Sequence, residues 1–299
     1  MRITNNMANQ LAVLQLDVAR TKLEEAQRKV STGKKFTSAS EDPTSALTVM
    51  ANSGAMRALD QYKRNIGVAS RRLTFEETAL NSVTDVVTRA KELAVSQGSD
   101  TATLETRRGT LAEVNQLIQQ VVTLANTKDG NDFLFGGTTT DVAPFTADTS
   151  GPVTTFTASG SSGTRDVEIA SGQLAKTAHN ATQVFGTETQ GILKSLQDLA
   201  TALNTGTAAA VAATIPGLDT SLNQSQAVLA EVGARQNQMQ IAETNISAFS
   251  QSLLTLNSNL QDVDLETAMV DLVNRQTSYQ AAMSATSRVL NLNLTDYLR

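Results

Sequence analysis

The chain carries one histidine, His179 in "KTAHNAT", and no cysteine among its 299 residues. A zinc centre needs three or four Cys, His or carboxylate ligands, and no carboxylate cluster accompanies His179. A Ser-His-Asp system would need a nucleophile elbow, and no G-x-S-x-G occurs. His179 therefore reads as a surface histidine. "STGKKF" has the Gly-Lys pair of a phosphate loop, but Arg28 stands where the first glycine belongs and Lys35 where Ser or Thr belongs. "DVDLET" (262–267) alternates acids as a calcium loop does, yet Thr267 occupies the glycine position, so it reads as a solvated helix face. "DGND" (129–132) reads as a turn. Asn180, Asn223, Asn245 and Asn293 lie in N-x-S/T tripeptides, a weak signal by itself. No Asp/Glu pair is placed for acid–base work. The reading is a protein that is not an enzyme, with no cofactor and no metal.

Composition excludes further classes. The net charge is −5, from 24 basic and 29 acidic residues. Nucleic-acid binding needs phosphate-neutralising Lys and Arg, so none is expected. The pairs Lys34-Lys35, Arg71-Arg72 and Arg107-Arg108 are isolated and read as solvated surface. Hydrophobic residues make up 40%, aromatics 4%, and tryptophan is absent. That favours thin Leu/Val/Ala seams between long helices over a thick aromatic core. "MRITNNMANQLAVLQLDVAR" has no uninterrupted apolar region or small-residue cleavage site. No run approaches the ~18 apolar residues of a membrane span, so no membrane insertion is expected. A chain without cysteine tolerates both reducing and oxidising compartments and is compatible with export by a route that reads no cleaved signal.

The elements follow from periodicity. Ala12, Leu16, Ala19, Leu23, Ala26 and Val30 alternate spacings of four and three, a heptad. Leu11, Leu14 and Val18 form a second seam. Gly33 supplies a helix stop, and Asp42-Pro43 supplies an N-cap and a first-turn proline. A long seam then runs Ile66, Ala69, Leu73, Glu76, Leu80, Val83, Val87, Ala90, Ala94. After "SQGSDTAT" another runs Leu104, Leu111, Val114, Ile118, Val121, Ala125, predicting an antiparallel helical hairpin. From about 130 the sequence turns Gly/Ser/Thr-rich, and "VTTFTA" and "RDVEIA" alternate with period two, predicting strands. Thr187 with Gln190 has the pattern of a capping box that restarts the helix. Residues 204–217 read as a loop or weak helix. A seam from Leu218 through Val232, Gln236, Met239 and Ile246 to Leu260 then continues, hardly pausing, from Leu265 to the end.

The expected fold is mainly α. Long paired N- and C-terminal coiled-coil-like helices flank a helical-bundle domain with a small β-rich insert. The expected parts are 1–42, the N-terminal helix and connector of an inner assembly domain; 43–134, the first part of the helical bundle; 135–186, the β-rich insert; 187–260, the second part of the bundle; and 261–299, the C-terminal helix of the assembly domain. Near the end, Leu290, Leu294 and Leu298 recur every fourth residue, with Tyr297 beside them. Two terminal helices paired only with each other bury one seam each, and here each carries more. Burying one Leu gains ~1.5–3 kcal/mol, so several exposed leucines imply other subunits. The expected assembly interface is Leu11, Leu14, Val18, Leu23, Met269, Leu272, Tyr279, Met283, Leu290, Leu294, Tyr297 and Leu298. The interdomain connector rests on Gly33, Phe36, Asp42 and Pro43. The competing expectation is an intramolecular coiled coil finished by a few exposed leucines.

Four stretches carry a resemblance: "VSTGKKFTSASEDPTSAL" (30–47), "RAKELAVSQGSD" (89–100), "ANTKDGNDFLFGGTTT" (125–140) and "LNLNLTDYL" (290–298). With them, about 1–140 and 215–299 resemble the flagellin superfamily of bacterial axial proteins. "DFLFGGTTT" and the "DYL" ending are similar to the branch that joins hook to filament; filament flagellins carry an Asn-Gly-rich stretch at the former place. Phe36, Ala39 and Glu41 depart mildly from the superfamily's connector. The resemblance implies a structural, motility-related subunit of three parts. Its terminal helices line an inner tube, a bundle surrounds them, and the insert faces outward. It implies export unfolded through the flagellar type III apparatus with a chaperone near the C-terminus. The implied partners are copies of itself in a ring-like homo-oligomer, the first hook-associated protein on one side and flagellin on the other. The alternative within the superfamily is the filament subunit itself. A secreted effector or adhesin would want a Lys/Arg-rich face and aromatic anchors, and residues 265–298 offer only Arg275 and Arg288.

Overall fold

The first heptad ends where its glycine stands. Helix α1 spans Arg2–Thr32, and Gly33 follows at φ +67°, a left-handed position that a side chain would strain. The Gly33 N–H closes the helix on Lys29 O at 2.9 Å. Asp42 then caps the next helix: its Oδ1 accepts from the Ser45 N–H at 3.1 Å. The Ser45 hydroxyl, together with that backbone hydrogen bond, holds the Asp42 carboxyl below its usual range. Pro43 opens α2, which runs unbroken from Pro43 to Gln97.

The computed structural model describes residues 2–159 and 163–297, and within the first and last helices the side chains of residue 7 and residues 10–288. The order after α2 is α3 (Leu104–Ala125), β1 (Lys128–Asp129), β2 (Asp132–Phe133), β3 (Phe145–Asp148), β4 (Thr155–Ala158), β5 (Asp166–Ala170) and β6 (Gln173–Lys176). Then come α4 (Ala181–Phe185), α5 (Ile192–Thr205), α6 (Ala208–Ala212), α7 (Ile215–Gln261) and α8 (Leu265–Tyr297). The fold is mainly helical, with small antiparallel strand pairs in its middle, as expected from the sequence. The chain divides into two compact units, 1–58 with 249–299, and 59–248. Helices α2 and α7 contribute to both.

The unit 59–248 holds the hydrophobic core. Ile66, Leu73, Leu80 and Val87 of α2 bury the seam read from the sequence, joined by Val114 and Ile118 of α3 and Leu193, Leu196 and Leu203 of α5. Thr103 caps α3, its side chain accepting from the Thr106 N–H. Arg89 of α2 donates to Glu113 of α3 at 2.8 Å across the hairpin. The pairing β1–β2 turns at Asp129–Asp132, so "DGND" is a turn as expected. The pairs β3–β4 and β5–β6 contain the two alternating segments.

The strand-rich segment does not have a core of its own. Phe135, Phe145 and Phe185 stack edge-to-face, with ring centroids 5.0 and 6.0 Å apart, inside the same cluster as the helix seams. Such pairs add to the area they bury. Asn126, just past α3, fastens the segment by accepting from the Phe145 N–H at 3.1 Å and donating to its carbonyl at 2.7 Å.

Three expectations are corrected here. His179 is not a surface residue: it is 5% exposed and lies against Glu76, which is fully buried. Glu76 occupied a seam position in the α2 pattern, and a carboxylate there requires such a partner. Thr187 and Gln190 do not start a helix; they pair with each other in a turn, and α5 begins at Ile192 after Gly191. The capping box lies at Asn180 and Gln183, before α4. The stretch 262–267 is not one continuous helix face: 262–264 form the joint between α7 and α8, and Leu265, Glu266 and Thr267 open α8. There Asp264 Oδ1 accepts from the Glu266 N–H at 3.0 Å and starts α8, while Asp262 accepts from the Ser258 hydroxyl at 2.7 Å. Residues 204–217, expected as a loop or weak helix, contain the short α6, capped by Thr207.

Candidate assembly surface

The terminal helices pack together, as the sequence expectation required. The connector after α1 meets the joint before α8, so the two helices run antiparallel from that point. Lys34 and Asp262 form an isolated antiparallel bridge. Its rungs are Lys35 N–H to Gln261 O at 2.7 Å and Val263 N–H to Gly33 O at 2.8 Å. Lys35 Nζ adds a bond to Asn259 O at 2.7 Å. Lower in the connector, Glu41 pairs with Arg28 at 3.0 Å and accepts from the Thr37 N–H. The connector is thus tied to the helix behind it, to the last turn of α7 224 residues away and to the joint that follows.

Burial separates the two α1 seams. Ala12, Leu16, Ala19, Leu23 and Val30 are half-buried and Ala26 is buried, with Ala268, Leu272, Tyr279, Ala282 and Thr286 forming the matching buried and half-buried row on α8. This is the intramolecular seam. The second seam is bare: Leu11 is 55% exposed, Leu14 63%, and Met7 and Val18 continue it in a four-three-four spacing. On α8, Met269, Val273 and Met283 are exposed in the same way. Phe36 is the one large hydrophobic side chain buried in this unit among the described residues. Ion pairs along α1, such as Lys29–Glu25 at 2.8 Å, sit on the surface and contribute little.

The expected interface residues therefore divide. Leu11, Leu14, Val18, Met269 and Met283 lie on uncovered faces. Leu23, Leu272 and Tyr279 lie in the seam between α1 and α8, so they serve first to pair the two helices. The side chains of Leu290, Leu294, Tyr297 and Leu298 lie outside the described residues. In the connector, Gly33 ends α1, Phe36 is buried, and Asp42 with Pro43 begins α2. Sequence reading missed Leu47 and Met50 at the head of α2 and Val270 and Val273 on α8, all exposed. The i, i+3 and i, i+4 spacings 47/50 and 269/273 carried that signal. The bridge between Lys34 and Asp262 had no local signal. No helix among the described residues is long and apolar enough to cross a membrane.

Comparison with known proteins gives two family matches. Residues 3–140 match the bacterial flagellin N-terminal helical region, and residues 215–298 match the bacterial flagellin C-terminal helical region. The flagellar hook-associated protein 3 of Salmonella typhimurium is 28% identical over 291 residues, covering 89% of each chain. That of Escherichia coli is 26% identical over 289 residues, again covering 89% of each. A solved structure of a flagellar hook-associated protein from Vibrio parahaemolyticus superposes with a TM-score of 0.66 at 21% identity, over 74% of this chain and 100% of that one, and shares its fold. The unmatched middle, 141–214, contains β3 to β6 and the short helices.

Proposed function

The chain belongs to the bacterial flagellin family, and from that premise we propose that it is a structural subunit of the flagellum that forms the junction between hook and filament. The observation that carries the reading is the terminal unit. Among the described residues it presents Leu11, Leu14, Val18, Met269 and Met283 to water while burying one large hydrophobic side chain, Phe36, of its own. A domain so poor in core is completed by neighbours that cover its apolar faces. The similarity to hook-associated protein 3 sequences over 89% of the chain supports the junction over the filament body. "DFLFGGTTT" supports it too.

On this reading the role is mechanical, with no catalytic step. Copies of the chain pack in a ring-like array through α1 and α8. The hook side meets the first hook-associated protein and the filament side meets flagellin. The subunit reaches that place outside the cell by flagellar export, held by a chaperone until it assembles. The test is immunogold labelling of intact flagella with antibody to this chain. A single band where hook meets filament is the expected result. Label along the whole filament would make the chain a filament flagellin, and no flagellar label would overturn the assignment.

A further inference from the structure

The chain's one histidine lies in the unit 59–248, where the strand-rich segment rejoins the helices. His179 Nδ1 is 2.5 Å from Glu76 Oε1 of α2. The His179 backbone N–H also reaches the Glu76 carboxylate, at 3.3 and 3.4 Å. On the other side of the ring, Nε2 lies 3.1 Å from Glu231 Oε2 of α7, at ion-pair distance without hydrogen-bond alignment. Arg235, one turn further along α7, bonds Glu231 Oε1 at 2.5 Å. Its charge opposes the imidazolium. Arg72, one turn before Glu76 on α2, pairs instead with Asp129, at 3.9 Å. The imidazole thus sits between two carboxylates from two long helices.

The segment it anchors is short and consequential. Asn180 is the N-cap of α4, Ala181 N–H bonds Phe135 O at 2.9 Å, and Phe185 closes the aromatic cluster against Phe135 and Phe145. We propose that Glu76, His179 and Glu231 form a proton-operated clasp that holds α4, and with it the exit of the strand-rich segment, onto α2 and α7. In the charged state the ring donates to Glu76 and sets its positive charge against Glu231. When the proton leaves, one ring nitrogen turns a lone pair toward a carboxylate, acceptor against acceptor. The buried Glu76 charge then loses its counter-charge, which is costly in a low-dielectric site.

The direction follows from the same contacts. Burial alone would lower the imidazole pKa, but the Glu76 hydrogen bond and charge, with Glu231, outweigh it and raise it above 6.5. A raised histidine gives its full stabilisation below the unfolded value and loses it as pH rises through the folded one. The clasp is therefore shut below pH 6.5 and loosens as pH rises through the raised value.

One histidine gives one imidazole signal, so NMR titration of the full chain reads this site directly. Hydrogen exchange of the Val184 and Gly186 amides, bonded to Asn180 O and Thr182 O, reads the opening. The expected result is a midpoint above 6.5 and a step in opening, corrected for intrinsic exchange, as pH passes it. Each unit of pKa elevation corresponds to about a tenfold change in the opening equilibrium. In His179→Gln, which cannot titrate, the step should vanish. A wild-type midpoint at or below 6.5, or the same step persisting in His179→Gln, would overturn the clasp.

Discussion

Truncating the bare seam of α1 tests what it is for. In Leu11→Ala with Leu14→Ala, each side chain loses three carbons, worth about 2.4 kcal/mol if fully transferred from water at ~0.8 kcal/mol per methylene. Only the part still exposed in the subunit is available to a neighbour, 55% at Leu11 and 63% at Leu14. That leaves about 1.3 and 1.5 kcal/mol, or roughly 2.8 kcal/mol per contact, which corresponds to about a hundredfold loss of subunit affinity. Alanine keeps the helix propensity of leucine, so the isolated subunit should change by less than about 0.5 kcal/mol. The assay is complementation of a strain lacking this chain, scored by incorporation into flagella, alongside calorimetry of the purified subunit. Incorporation at wild-type level would refute the assembly role of this seam. A lowered unfolding temperature of the isolated subunit would instead mean that the seam is buried within one copy.

Three further expectations concern the fold. Lys34 and Asp262 face each other in the bridge, and the chain has no native cysteine, so Lys34→Cys with Asp262→Cys should oxidise to an intramolecular crosslink seen as an altered tryptic map; a crosslink only between chains would contradict the pairing. Leu196 is fully buried, and Leu196→Ala should cost about 2–5 kcal/mol in calorimetry, whereas less than about 1 kcal/mol would mean a loosely packed core. Gly186 has φ +88° and an added Cβ would stand 2.1 Å from Gln190 O, so Gly186→Ala should lower the unfolding temperature even though it deletes no contact; a neutral result would show that the turn relaxes freely.

The helices were legible because their signals are local. Gly33 and the Asp42-Pro43 pair fixed the end of α1 and the start of α2, and the three-four spacing of Ala12 to Val30 marked an apolar face. The single deceptive cap was Thr187 with Gln190, where the side chains fit a capping box but Gly186 and Gly191, both at positive φ, fold the backbone into a turn. Glu76 was visible as a charge in an apolar seam. Its partner was not, because His179 lies 103 residues later and nothing in "KTAHNAT" tells a buried histidine from a solvated one. Likewise the two seams of α1 were readable, but which of them is covered, and whether Leu23, Leu272 and Tyr279 are used within the chain, depended on how α1 and α8 align. The acids of "DVDLET" misled for a different reason: Asp264 caps a helix, and capping and helix-face aspartates look alike until the break between α7 and α8 is seen.

The bridge between the two connectors also sets an order of events in folding. Bringing together groups 224 residues apart costs roughly 5 kcal/mol of chain entropy by the logarithmic closure law. Contacts of such long sequence separation form late. The hairpin of α2 and α3 can close as soon as residue 125 is available, whereas α1 has no partner until α8 exists. A chain delivered from its N-terminus therefore presents its first helix unpaired for the whole of its passage. Completion of the terminal unit reports that α8 has arrived.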